Sequence, residues 1–221
     1  MSKKAKKAVR MILSVLLSVI LSVQVTVSAF ADTNEKEIQP RLVTNQTLSV
    51  PNFEQEKTNW CWVACAVSVM HYISNTSITQ SAFCYDAIGS YANVQGTNVD
   101  IQNGLSSHNI SCIIRHNTGD IDDYYEGTIT VGYVMTMQEI RSQITAGKPI
   151  IALCRVNGNG HYRIICGHYY DDVTNTARIT YMDPWLNLGV SGVGDFYTVD
   201  YDEFCFVDEN NFWVSAVYNF T

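Results

Sequence analysis

From Asn59 onward the apolar positions Cys61, Val63, Ala64, Val67, Met70 and Ile73 recur at helical spacing and stop near Ser74-Asn75. This predicts a helix with Thr58 or Asn59 as its cap. Weaker patterns predict helices near Thr79–Ile88 and Val99–Leu105. A clearer one opens at Thr136-Met137-Gln138-Glu139, which reads as a capping box, and stops at Gly147 with Pro149 just beyond. The period then changes from helical to alternating. Ile150–Val156, His161–Tyr169, Ala177–Asp183, Tyr197–Phe204 and Phe212–Phe220 are rich in β-branched and aromatic residues and read as strands. Turn material separates them at Asn157–Gly160, Asp171–Thr176 and Gly189–Gly194. Helices followed by an antiparallel meander describe an α+β domain. The stretch from Ile113 to Val134 has no pattern that assigns it. Its acids Asp120, Asp122, Asp123 and Glu126 lack the regular ligand spacing of a calcium loop and read as a solvated loop.

Ahead of this domain the pattern is different. Met1 to Arg10 holds five basic residues and no acid, an apolar run follows from Met11 to about Val27, and Ala29-Phe30-Ala31 has the small-x-small form of a cleavage site. Residues 1–31 therefore read as a secretory signal peptide. An uncleaved anchor is the alternative, but the Ala-x-Ala end and the polar residues after it favour removal, with no stable membrane anchor left. Residues 32–48 read as a polar tether or short pro-segment, and 49–221 as the folded domain. The Lys-rich start suggests export from a bacterium with a thick wall, to a secreted or cell-wall-associated location.

Charge narrows the partners. The full chain carries −7 and the leader accounts for +5, so the remainder stands at −12. An acidic chain without Lys/Arg clusters is a poor match for phosphate backbones, which excludes nucleic acid as the expected partner. Nothing in the sequence calls for a metal or another cofactor. The seven cysteines, an odd number in an exported chain, leave at least one thiol over if the rest pair internally.

The candidate thiol is Cys61, set between Trp60 and Trp62 at the predicted helix start. First-turn N–H groups and the positive end of the helix dipole favour an anion there. A thiol nucleophile needs a base, and the base needs a group to orient it. Of the five histidines, His71 lies inside the first helix, and His108 and His116 sit in polar stretches without a matching acid. His168 is seven residues past His161, so a regular strand would face the two oppositely. His161 opens a strand directly after the Asn-Gly-Asn-Gly turn, where a side chain can face a cleft, and is the candidate base. Asp183 ends a strand before Pro184 and is the candidate orienting acid. Gln55 could donate its amide to a developing oxyanion beside the Cys61 N–H. Cys65, one turn beyond Cys61, reads as structural. Trp60 and Trp62 read either as packing or as a screen against water.

Gln55 six residues before Cys61 with Trp62 just after it is similar to the glutamine-x₅-Cys-Trp start of papain-like cysteine peptidases. Asp183-Pro184-Trp185 looks like that superfamily's Asn-Ser-Trp element, with aspartate in place of asparagine. Together with Ala146-Gly147-Lys148-Pro149-Ile150 and Gly160-His161-Tyr162, the set resembles the bacterial branch that includes the C39-like and AvrRpt2-like peptidases. The resemblance runs in order from about Gln55 to Val217 and implies a helical half bearing the nucleophile packed on an antiparallel sheet bearing His and Asp. It also implies that Trp185 shields the triad. The chain lacks the long inhibitory pro-region of many such proteases and the transport segments of C39 exporters.

The expected function is therefore a secreted thiol peptidase acting on protein or peptide through Cys61, His161 and Asp183. Two other readings stand beside it: a transglutaminase-like acyl transferase or amidase with the same triad, and an inactive binding module that kept the scaffold.

Overall fold

The computed structural model describes residues 41–117, 133–185 and 195–221. The expected leader, the acids from Asp120 to Glu126 and the Gly189–Gly194 turn lie outside the described residues. Within them the chain forms helices α1 (Cys61–Ser74), α2 (Gln80–Ile88), α3 (Asn98–Ser107), α4 (Met137–Thr145) and α5 (Tyr201–Cys205). The strands are β1 (Val43–Thr47), β2 (Ile113–His116), β3 (Ile150–Val156), β4 (Asn159–Asp171), β5 (Thr176–Asp183), β6 (Asp195–Asp200), β7 (Phe206–Asp208) and β8 (Asn211–Tyr218). No described helix is long and apolar enough to cross a membrane.

Helix α1 is apolar on nearly every side. Its first ten residues, Cys61 to Met70, are all buried, as expected of a helix that runs through a core rather than along its surface. Trp60, not Thr58 or Asn59, occupies the cap position, and no side chain caps the first turn. Asn75 ends the helix in the left-handed conformation that asparagine tolerates well. The expected capping box at Thr136 and Glu139 closes in both directions on α4. A second box, Thr97 with Asp100, starts α3.

Every strand pairing is antiparallel, in the order β2-β8-β3-β4-β5-β6. The spine is β4. One of its edges pairs with β3 over Asn159–Ile165 and then with β1 over Gly167–Asp171, while the other pairs with β5. Helix α1 packs against β4. A buried polar link fixes α3 to the sheet: Asn98 donates to the Ser215 hydroxyl at 2.7 Å and accepts from Tyr162 at 3.1 Å.

Three expectations change. Residues 43–47, expected within the polar tether, form β1, and Arg41 reaches from just before it to the buried Asp171 carboxylate. The alternating polar burial of β1 is that of a strand with one face on the protein, a short signal that its polar composition hides. The strand expected over Tyr197–Phe204 stops at Asp200 and becomes α5. There Tyr201, Phe204 and Cys205 are buried at helical spacing, and Asp202 and Glu203 sit in the first turn, where the dipole favours acids. Part of the unassigned Ile113–Val134 stretch is strand β2, paired with β8.

Candidate active site

The turn into α1 is built from the sequence outward. Gln55, almost fully buried, donates its amide to the carbonyls of Lys57 at 3.0 Å and Thr58 at 2.9 Å, and the Trp60 N–H closes onto Lys57 at 3.0 Å. The Gln55 backbone N–H reaches the Pro184 carbonyl at 2.8 Å and so ties this turn to the end of β5. Trp60 and Trp62 flank Cys61 and are fully buried. Each donates its indole N–H across to the segment before α3, Trp60 to the Ala92 carbonyl at 2.9 Å and Trp62 to Val94 at 3.1 Å. Asn59 and Asn93 bond each other twice in the same row. The two tryptophans thus stitch the 91–95 segment to the turn that carries Cys61, a more specific job than packing or screening. Gly96 makes this approach feasible, since a Cβ there would sit 2.4 Å from the Trp62 ring.

On the sheet side, His161 donates Nε2–H to Asp183 Oδ1 at 2.7 Å. Its other ring nitrogen is left for Cys61, which lines the same cleft and helps to raise the ring's pKa. Asp183 Oδ1 also accepts the Trp185 N–H at 3.0 Å, and Oδ2 accepts Arg163 Nε–H at 2.9 Å. The β4–β5 register explains the set. Ile164 pairs with Met182, and the next residues along the two strands, Arg163 and Asp183, bond through their side chains. The Trp185 ring stands edge-on to His161 at 5.3 Å and 76°, covering the histidine–aspartate bond while remaining 59% exposed itself.

Electrostatics separates the thiols. Burial, followed by the nearness of Cys61, pushes the Cys65 thiol well up; burial pushes Cys154, Cys166 and Cys205 up to about 12 and raises Cys84 and Cys112. Those six stay protonated, and all seven cysteines are unpaired. Burial alone would lower His161, but its bond to Asp183 and the neighbouring Cys61 carry it up to about 9. Burial likewise works to raise Asp183, yet the His161 bond and charge, with Arg163, hold it below the usual carboxylate range.

These groups line a cleft of about 570 Å³ that contains Cys61, His161, Asp183 and Trp185. The other histidines lie elsewhere. His108 pairs with Asp86 at 3.0 Å, and His71 packs edge-on against Phe53. A bulge between Ile165 and Gly167 resets the strand alternation, and His168 lines a separate groove against α4 with both ring nitrogens unpartnered. Gln55 departs from expectation: it does not line the cleft, and both of its amide hydrogens are used on carbonyls. Flipping the amide would set its oxygen against those same carbonyls, so the orientation is fixed. Arg163 is the site residue the sequence reading missed, although its place two residues after His161 put it on the same strand face. Among the described residues, no group of three or more His, Cys, Asp or Glu converges as metal ligands.

A cysteine at the start of a buried helix, facing a histidine on an antiparallel sheet across a cleft, is the arrangement of a papain-like cysteine peptidase. The crystal structure of UfSP from C. elegans has the same fold, with a TM-score of 0.53 at 12% identity over 84% of this chain and 36% of that one. This chain thus spans little more than a third of the length of that neighbour. The chain belongs to the peptidase C70 family, described as papain-like cysteine protease AvrRpt2, whose family model matches residues 44–197. No curated protein sequence is a match.

Proposed function

We propose that this cysteine-type peptidase is secreted and cleaves peptide bonds through Cys61, His161 and Asp183. The observation that carries the reading is His161 bonded to Asp183 and sharing with Cys61 one cleft open to solvent. The Cys61 thiolate attacks the peptide carbonyl carbon, and the carbonyl π electrons move onto oxygen. The Cys61 N–H, a first-turn donor that its own helix leaves unpaired, stabilises that oxyanion. Gln55 holds the turn that presents this donor. As the tetrahedral intermediate collapses, the C–N bond breaks and the His161 imidazolium gives its proton to the leaving amine, forming a thioester. His161, now neutral, takes a proton from water, hydroxide adds to the thioester, and the acid and thiolate are released. Asp183 keeps the His161 ring in the tautomer that this exchange needs.

Replacing Cys61 by Ala is expected to abolish peptide cleavage together with labelling by a thiol-specific epoxide. Retained cleavage in that variant would refute the assignment. Incorporation of a dansyl-amine into acceptor protein, without cleavage products, would assign acyl transfer instead. Secretion rests on the leader pattern of residues 1–31 and is tested by the N-terminus of protein recovered from culture medium.

A further inference from the structure

Arg163 needs an explanation that the triad does not supply. A guanidinium only one-fifth exposed lies behind the catalytic pair, and removing a charge from water is expensive unless it is matched. It is matched closely. Nε–H bonds Asp183 Oδ2 at 2.9 Å, the guanidinium lies 4.8 Å from the Tyr181 ring centre, and Cys154 lines the same pocket as Arg163. Three neighbours from the two flanking strands, Cys154 of β3 with Tyr181 and Asp183 of β5, surround it.

We propose that Arg163 is a positioning residue of the peptidase reaction: its charge offsets that of Asp183, so the carboxylate orients His161 much as a neutral amide would. The imidazolium is then held firmly enough to pair with the thiolate but not so firmly that it cannot give its proton to the leaving amine. This inference rests on the peptidase reading above. An unshielded carboxylate at 2.7 Å would stabilise the imidazolium much further, and a general acid works best when its pKa lies near the working pH.

Few other charges compete. Facing the His161–Asp183 pair are Cys61 and Cys65 from α1, Cys154 from β3 and Tyr162 from β4. Strand β5 adds Tyr181, and β6 adds Tyr197 and Asp195 at the cleft mouth. Burial keeps Cys65, Cys154 and the three tyrosines protonated and uncharged through the neutral range. Besides His161, the charges near Asp183 are therefore Arg163 in direct contact and Asp195 at the rim.

The test is the pH profile of kcat/KM on a cleaved peptide, measured on the full chain, beside an NMR titration of the His161 ring. R163Q is expected to move the alkaline limb and the ring titration up by about one pH unit. D183N leaves the guanidinium unopposed, so both move down and kcat/KM falls about a hundredfold. The double variant R163Q/D183N, neutral at both positions, is expected to regain at least about tenfold over D183N alone, a coupling that independent sites would not show. R163K keeps the charge and leaves the limb in place, which holds the test open if R163Q is unstable. A ring titration unmoved in R163Q, or a double variant no better than D183N, overturns the proposal. Absence of Cys61-dependent cleavage in the wild type would instead defeat the functional reading, and the ring titration would still decide the role of Arg163.

Discussion

On the helical side of the cleft, Cys61 is held by partners close in sequence: a turn set by Gln55, six residues ahead, and a 91–95 segment about thirty residues on, laced to Trp60 and Trp62 by their indole N–H groups. On the sheet side, His161, Arg163 and Asp183 are held by the register of two strands and by charge. The first arrangement rests mostly on hydrogen bonds between neutral groups around two buried indoles, and its parts fail locally. The second concentrates two opposite charges behind one imidazole, and its parts fail together. Damage to the sheet side should therefore strike chemistry and stability at once, while damage to the helical side should loosen the nucleophile turn by degrees.

The largest expected effect follows from the charged side. Asp183→Ala leaves Arg163 buried without its carboxylate and His161 without its orienting bond. Removing one member of a buried pair costs about 3–5 kcal/mol, and loss of an oriented acid–base group lowers kcat about 10²- to 10⁴-fold. Urea unfolding and single-turnover cleavage measure the two losses. A variant that keeps wild-type stability would show that the two sides of the cleft do not differ in the way argued.

Next in size is Gly96→Ala on the helical side. A Cβ there lies 2.4 Å from the buried Trp62 ring, so either the ring or the 91–95 segment must move. Overpacking of this kind costs about 1–3 kcal/mol. The expected result is a lower unfolding midpoint with the alkaline limb of the pH profile unchanged, because no charge near His161 is altered.

Stability against pH sharpens the comparison further. His161 carries its proton up to about pH 9 when folded but only to its ordinary 6.5 when unfolded, so the folded state binds more protons between these values. Its contribution is full below about pH 6.5 and is lost as pH rises through 9. Asp183 is held below its ordinary 3.8, so its contribution is present above that value and is lost as pH falls beneath it. Urea midpoints should therefore decline from pH 7 to 9.5, and the decline should flatten in His161→Gln. A midpoint that rises over that range would mean that the sheet-side charges are arranged otherwise.

The unequal legibility of the two halves in the sequence follows from the same physics. Cys61 was readable because helical periodicity and the Gln55 and Trp62 spacing are local. His161 and Asp183 were readable as strand ends beside turns, but Arg163 was not. Its meaning depends on a register that brings residues 163 and 183 together, and only the hairpin fixes that. The odd count of cysteines proved uninformative, since all seven are thiols and none is left over by pairing. The bulge at β4 defeated the alternation argument for His168, because one inserted residue reverses the strand's faces beyond it. Helix α5 was hidden because Tyr201, Phe204 and Cys205 suit a strand by composition and a helix only by spacing.

The smallest effect isolates the stitch itself. Trp62→Phe keeps an aromatic ring in the fully buried site but removes the N–H that reaches the Val94 carbonyl at 3.1 Å. A single neutral hydrogen bond is worth about 1 kcal/mol net. The smaller ring also leaves space that Gly96 and Phe83, both in contact with Trp62, can partly fill. Hydrogen exchange should therefore speed up in residues 91–95 before it does in β4 or β5. If the Trp62→Phe chain instead exchanges faster in the sheet, the 91–95 segment is not held by the tryptophans, and the helical side of the cleft owes its order to the sheet.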